Sequence, residues 1–547
     1  MTKTLSLMAE ISKVLACTPS DRGRSIIDSP YTKQIMEQLP PQETYLIIKE
    51  SWGSDSQILL QYVLPEAVCH FIDLDCWDGE NFSVEAVMEW LTELYNASFE
   101  SLMQALETID LEILVLMFQT YVEVVHVRPT DEHIPELIDE GFESLDNMYF
   151  YRIILEDDHC HFIKEMLSIL FTSYQDLYYT ILEGVMYELK TSMEETTYEK
   201  RALRLMEMGF PQPDEAASVY RHIRPVKLLN RGILKEKIPV INKHVHMLPT
   251  VYLEQFSKGK SLLVSSIEKS SSETRERFLY EMIYLANKVL MADFKPLNNS
   301  DEIRHSMEKA SSLASLGLSI AMREKGASAD DVLKEINAET LFSLGYNMVY
   351  EQQHRLRLLL SEVDGSIIPE RLREFTEGLL KKRPLFKDRD FSSMDELLDV
   401  TGIVGSIEAM SCIISALEWD DQIASLSGTN TGTNIDMESV ILTSLAVNAC
   451  TRGSRFRPLT ASEFKSFLSL TTRRKGRVRI LVPSFVSDME TYLLNLKGDL
   501  EKGIVSSMAS SLATRMEEEI AGVKDLGELD ARFITCFIVK LKDQSPA

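Results

Sequence analysis

The sequence contains no Lys or Arg between Glu50 and Val127, a stretch that carries 15 Asp and Glu residues. Residues 1–200 hold 37 acids against 11 bases, whereas residues 201–547 hold 47 acids and 46 bases. A stretch of one sign cannot form ion pairs within itself. The asymmetry therefore predicts two parts with different surfaces, and a partner for the acidic part.

Glycine, proline and cysteine are also few, with 23 Gly, 18 Pro and 7 Cys in 547 residues. The scarcity of turn residues disfavours many short strands and favours long helices. The scattered Cys form no C-x-x-C motif, which is typical of reduced thiols in a cytoplasmic protein rather than of a disulfide framework. The most apolar windows, Leu111–Val127 and Thr401–Leu417, contain acids and fall short of the ~20 residues of a membrane span. We expect both to be buried helices and the protein to be cytoplasmic, with no membrane span.

Signatures of catalysis are missing as well. The sequence has no G-x-x-x-x-G-K-[ST], no H-E-x-x-H, no G-x-S-x-G and no G-x-G-x-x-G after a predicted strand. No catalytic residue and no resident cofactor are predicted, although groups from distant positions could still assemble into a site.

What the sequence does contain is helical periodicity. In Val84–Leu106 apolar residues recur at i, i+3, i+4 and i+7, and similar stripes follow along the chain. Pro followed by Glu, as at Pro65 and Pro369, predicts helix starts. Alternation of period two is scarce and is clearest in Arg477–Val482. The sequence predicts an all-α, mostly helical fold: a helical-repeat N-terminal part and a larger helical C-terminal part, with at most a few short strands.

The main domain boundary is predicted where the charge shift meets the break Gly209–Pro213. An acidic helical-repeat domain would cover residues 1–208, and a charge-balanced helical domain would cover residues 214–547. Breaks rich in Pro, Asn, Gly and Thr near 295–300 and 427–434 are candidate subdivisions of the second domain.

Two resemblances follow from short motifs. LPPQE at 39–43, LPEAV at 64–68 and IDLEIL at 109–114 make residues 35–127 resemble the intracellular N domain of MgtE magnesium transporters. That resemblance implies a superhelix of short helices. It does not imply transport, because the membrane helices of the transporter are missing.

The second resemblance covers nearly the full length. FIDLDCWD at 71–78, GFPQPDEA at 209–216, FRPL at 456–459 and DARFI at 530–534 are similar to a family of uncharacterised bacterial cytoplasmic proteins, defined as a domain of unknown function. The resemblance implies a bacterial source and one shared architecture. It implies no activity, cofactor or catalytic residue.

Asp157, His161 and Glu165 are the candidate metal ligands. At i, i+4 and i+8 they would share one face of a helix, and carboxylate and imidazole groups suit a divalent cation such as Mg²⁺. A solvated helix start with acids at its N-terminus is the alternative interpretation. The acids in 73–80 miss the spacing of a calcium loop, and we expect them to cap the following helix, with Trp77 buried.

A basic segment contrasts with the acidic stretch. Residues 452–479 contain nine bases and one acid, Glu463. The candidate interaction residues are Arg473, Arg474, Lys475, Arg477 and Arg479. The segment could dock on the acidic N-terminal part, bind phosphate or nucleic acid, or form a solvated basic face. The net charge of −27 opposes the approach of a nucleic acid.

Three functional hypotheses remain open. The leading one is a non-enzymatic interaction or scaffold protein whose acidic face, within residues 50–127, receives a basic protein partner or segment 452–479 of the same or another chain. The second is a divalent-metal-dependent sensor or enzyme that uses N-terminal acids with His159 or His161. The third is nucleic-acid or phosphate binding through the basic segment.

Overall fold

The computed structural model describes residues 2–53, 55–128, 134–154, 159–222, 261–362, 367–417, 429, 435–451, 456–475, 478–496, 501–521, 530 and 534–540. These residues are mostly helical, with a few short strands in small sheets, which confirms the predicted fold class. They fall into two compact units. The first comprises Met1–Arg221, Arg231–Ala314 and Lys325–Phe342, and the second comprises His222–Asn230, Ser315–Glu324 and Ser343–Ala547. The boundary inferred from charge stays a prediction.

The helices are, in chain order, α1 (Thr2–Leu15), α2 (Pro19–Ile27), α3 (Thr32–Gln38), α4 (Pro41–Glu50), α5 (Ser56–Leu60), α6 (Pro65–Asp75), α7 (Val84–Ala97), α8 (Phe99–Thr108), α9 (Leu111–Tyr121), α10 (Ile134–Asp139), α11 (His159–Ser173), α12 (Gln175–Tyr187), α13 (Lys190–Glu207), α14 (Pro213–Ala217), α15 (Leu262–Lys269), α16 (Ser272–Ala292), α17 (Ser300–Lys325), α18 (Ala329–Glu335), α19 (Ala338–Glu362), α20 (Glu370–Leu380), α21 (Met394–Ala416), α22 (Met437–Thr451), α23 (Ala461–Thr471), α24 (Phe485–Leu496) and α25 (Lys502–Ile520). The strands are β1 (Trp77–Asp78), β2 (Asn81–Phe82), β3 (Val122–His126), β4 (Glu143–Ser144), β5 (Tyr149–Ile153), β6 (Thr472–Lys475) and β7 (Val478–Leu481).

In the first unit, short helices pack on their neighbours in the chain. Helix α6 packs against α4 and α8, α7 packs against α5 and α8, and α9 packs against α12 and α13. Helix α9 can occupy this central place because it is apolar almost all round, with Ile113–Phe118 buried. The arrangement brings the C-terminal half of α13 to the helices of the acidic stretch.

The predicted buried helix over Leu111–Val127 is correct only in its first part. Helix α9 ends at Tyr121, and Val122–His126 form strand β3, which pairs antiparallel with β5 from Val122↔Ile153 to His126↔Tyr149. Three of the five residues are valines, whose branched Cβ favours a strand once a partner strand is available. Long-range pairing therefore overrides the apolar helical pattern here.

The predicted helix starts and stops are mostly found. Pro65 is the first residue of α6, whereas Pro369 lies one position before the first residue of α20, at the N-cap. After α13, Gly209 has φ +88°, and Phe210 N–H donates to the carbonyl of Leu205 at 2.8 Å. This left-handed glycine closes the helix end and turns the chain toward α14.

Two helices form the apolar centre of the second unit. Every residue from Met437 to Val447 in α22 is buried, and α22 packs against α21. By length and composition α21 could cross a membrane, with a mean hydropathy of 1.7, but half of that window is buried. A core helix has these properties. The predicted strand over Arg477–Val482 is confirmed by β7, which pairs antiparallel with β6.

Candidate functional site

Nine of the 15 carboxylates of Glu50–Val127 form two contrasting sets. One set points inward and pairs with bases that lie outside the stretch: Asp73, Asp75, Asp110 and Glu112. The other set is mostly exposed and follows the β1–β2 hairpin and helix α7. The acidic stretch therefore contains inward-facing and outward-facing carboxylates, which the sequence alone does not distinguish.

Asp73 is the most deeply buried of the inward carboxylates, with a side chain only 1% exposed. Arg204 Nε donates to its Oδ2 at 2.6 Å and Arg204 Nη2 to its Oδ1 at 2.9 Å, a bidentate pair. Arg204 Nη1 also donates to Asp110 Oδ2 at 2.7 Å, and Arg201 Nε donates to the backbone carbonyl of Asp73 at 2.9 Å. Burial raises the pKa of Asp73, against the opposing effect of Arg204.

Asp75 has four donors around one carboxylate. Lys49 Nζ and Trp90 Nε1 donate to Oδ2 at 2.9 and 2.8 Å, and the Tyr45 hydroxyl and Asn298 Nδ2 donate to Oδ1 at 2.9 and 3.1 Å. Burial by itself would raise the pKa of Asp75, but the hydrogen bonds from Lys49, Trp90 and Tyr45 outweigh it and lower that pKa. The carboxylate is held ionised and joins α4, α6 and α7.

The expectation that the acids of 73–80 cap the following helix is wrong. Asp73 and Asp75 belong to α6, and the cap of α7 is Ser83, whose hydroxyl accepts from the backbone N–H of Ala86 at 3.2 Å. The expected burial of Trp77 is confirmed. Asp73 itself was the feature of the sequence that could have indicated a buried ion pair. An acid inside the apolar run Phe71–Leu74 needs a base in the core.

We call the outward set the acidic stripe: Asp78 and Glu80 on the β1–β2 hairpin, and Glu85, Glu89 and Glu93 on one face of α7. Helix α7 buries Val87, Trp90, Leu91 and Leu94 on its other side. Within the described ranges, no Lys or Arg forms an ion pair with a carboxylate of the stripe.

Two features of the stripe do not serve the stability of the fold. Glu85, Glu89 and Glu93 stand at i, i+4 and i+8, about 6 Å apart along the axis, and like charges at this spacing destabilise a helix. Glu93 Oε2 is closed off from solvent and accepts no hydrogen bond from any part of the chain that the structure describes. Both features leave negative charge without compensation.

The predicted metal ligands are placed only in part. His161 is exposed and Glu165 is partly buried on α11, one turn apart, while Asp157 lies outside the described residues. In the ranges that are described, no group of three or more His, Cys, Asp or Glu could hold a metal ion. The proposed set Asp157, His161 and Glu165 stays a prediction.

The basic segment also has a paired and an unpaired part. Arg457 Nη2 and Nη1 donate to the two carboxylate oxygens of Glu463 at 2.6 and 3.0 Å. Glu463 in turn closes a capping box with Thr460 at the start of α23. The hydrogen bond from Arg457, with those from Thr460, lowers the pKa of Glu463 to about 2.

Apart from Lys465 on α23, the remaining described bases of the segment lie on the β6–β7 hairpin. Arg473 and Lys475 are exposed, and neither forms an ion pair with another described residue. Arg479 is partly buried and donates to Thr472 Oγ1 at 3.1 Å. The backbone of Arg474 pairs opposite Arg479, and Arg477 lies outside the described residues.

The comparisons with known proteins give a family and no activity. No curated protein and no solved structure matches the chain. The resemblance of residues 35–127 to the MgtE N domain therefore has no support beyond its motifs. One family model matches residues 1–540. Because this match covers nearly the full length, the chain belongs to that family, which is described as a family of unknown function (DUF6178).

Proposed function

We propose that this chain is a non-enzymatic binding protein whose acidic stripe receives a basic surface of a protein partner. The observation that carries the proposal is that none of the five carboxylates of the stripe, from Asp78 to Glu93, is paired with a Lys or Arg among the described residues. The seven free cysteines fit a cytoplasmic location, which is part of the proposal.

The contrast between the two sets of carboxylates supports this function. Asp73 and Asp75 have bases and donors because a buried charge without them would prevent folding. No described Lys or Arg pairs with the stripe, where Ser83 Oγ donates to Glu85 Oε2 at 3.2 Å, and its like charges repel one another. Lys and Arg side chains of a partner would remove that repulsion.

The spacing favours a protein partner over a single cation. Carboxylates one helical turn apart can each meet a separate Lys or Arg. A divalent ion instead needs its oxygen ligands within about 2.0–2.6 Å of one point. Exposed charges of one sign also speed the approach of an oppositely charged surface, an effect that weakens with salt.

The experiment measures binding of a fluorescent peptide with the sequence of residues 452–479 to the full chain, by anisotropy at low and high salt. We expect binding at low salt that weakens as salt rises. The variant E85K/E89K should bind at least about tenfold more weakly, because it places two bases in the stripe.

The matched control is E273K/E276K, which makes the same charge change at two exposed acids on α16. It should bind within about twofold of the parent chain, since it leaves the carboxylates of the stripe unchanged. Equal binding by both variants, or no binding by the parent chain at low salt, overturns the proposal.

A further inference from the structure

The β6–β7 hairpin has one covered face and one open face. Thr472 and Leu481, which are opposite each other in the register, are buried. Residues opposite one another share a face, and successive residues alternate between faces. Arg473↔Ile480 and Lys475↔Val478 therefore form the other face. That open face is exposed at Arg473, Lys475 and Val478.

The open face combines positive charge with apolar surface. Arg473 and Lys475 stand about 6.6 Å apart along β6 and form no ion pair with any described residue. On the same face Val478 is 46% exposed, and Leu470, three positions before Arg473 at the end of α23, is 69% exposed. This part of the chain therefore offers a partner both charged and apolar contacts.

We infer that this open face, together with Leu470, is a docking surface for an acidic amphipathic helix of a protein partner. Carboxylates at i and i+4 of a helix are about 6 Å apart, which matches the spacing of the two cations. Apolar residues beside those carboxylates would cover Val478 and Leu470. The inference concerns a second surface and does not rest on the acidic stripe.

Extended polyanions fit the surface less well. Phosphates of a nucleic acid would pair with Arg473 and Lys475 but would leave Val478 and Leu470 exposed to water. The net charge of −27 also opposes a long anionic surface, whether nucleic acid or membrane. A short acidic helix brings little additional charge.

The test uses the full chain and a synthetic fluorescent helical peptide with Glu at every fourth position and Leu beside each Glu. We expect binding that R473E/K475E weakens at least about tenfold. The variant L470S/V478S should weaken it about threefold or more, since apolar contact is lost. A peptide with Gln in place of Glu should bind far more weakly.

The matched control is K381E/K382E, two exposed lysines that lie after α20 and outside the hairpin. It should bind the peptide like the parent chain, and so should E85K/E89K, which separates this inference from the proposed function. Circular dichroism verifies the fold of each variant, and R473Q/K475Q replaces the charge reversal if that fails to fold. Tighter binding to a DNA duplex or to phosphatidylglycerol vesicles, or binding unchanged by R473E/K475E, overturns the inference.

Discussion

The acidic stretch 50–127 and the described basic residues of 456–481 differ in where their counter-charges come from. In the acidic stretch, the bases come from outside it: Lys49 pairs with Asp75, and Arg204 of α13 pairs with Asp73, 131 positions away. In the basic segment, Glu463 pairs with Arg457 only six positions away. A long stretch of one sign must recruit its counter-charges from distant parts of the chain, whereas a stretch with one opposite charge can close a local pair.

The largest effect should come from breaking the distant pair. Arg204→Met leaves the carboxylate of Asp73 buried without its bidentate partner, and we expect a loss of about 3–5 kcal/mol in the free energy of unfolding. Urea denaturation followed by circular dichroism measures it. Lys200→Ala, a control on the same helix with a partly exposed base, should cost at most about 1 kcal/mol. Equal losses would show that Arg204 carries no special role.

The second effect concerns the carboxylate with four donors. Asp75→Asn should cost about 2 kcal/mol, because a charge-assisted network is weakened and an amide group replaces an acceptor. Since the folded pKa of Asp75 is lowered, its contribution is present above the unfolded pKa of about 3.9 and is lost as pH falls below it. The variant should therefore lose less stability than the parent chain over that acid range, as measured by urea midpoints. If the urea midpoints of the variant and of the parent chain fall equally as pH is lowered, this account is contradicted.

The local pair should matter less. Glu463→Gln removes the ionised part of the capping box and the partner of Arg457, and we expect a cost of about 1 kcal/mol. The pKa of Glu463 is about 2 in the folded chain. Its contribution is thus lost as pH falls from the unfolded pKa of about 4.3 toward 2. Thermal unfolding at neutral pH and at pH near 3 measures the difference, which should shrink at the lower pH.

The smallest effect on stability should come from the acidic stripe. Glu89→Lys replaces two repulsive i,i+4 pairs on α7 with two attractive ones, and we expect stability unchanged or raised by up to about 0.5 kcal/mol. Denaturant unfolding measures it. A loss above about 1 kcal/mol in the free energy of unfolding would mean that the stripe stabilises the fold. That result would contradict the division into inward and outward carboxylates.

Periodicity predicted much of the fold. The helical stripe of Val84–Leu106 and the Pro–Glu start at Pro65 depend on neighbouring residues, and both elements are found, with a break at Ser98. Strand β3 was missed because its pairing with β5 links residues about thirty positions apart. Local patterns carry no information about such a partner.

The sequence predicted the candidate site only as a stretch of negative charge. Composition located the acidic stretch, but it could not separate Asp73, which faces Arg204, from Glu85, which faces outward. That separation depends on which helix packs on which, and so on long-range contacts. The faces of Arg473 and Lys475 were not predicted either, because they depend on the register of β6 with β7, and no strand was predicted over Thr472–Lys475.

The pairing of α13 with the acidic stretch has a consequence for biosynthesis. The ribosome completes Asp73 and Asp110 long before Arg204, which lies 94 residues after Asp110. Until then Asp73 and Asp110 lack the base that pairs with them, so their carboxylates must stay hydrated. Helices α6 and α9 can therefore take their final packing only after α13 has emerged. A fragment that ends before Lys200 would keep the acidic surface and lose the bases that pair with Asp73, Asp110 and Glu112.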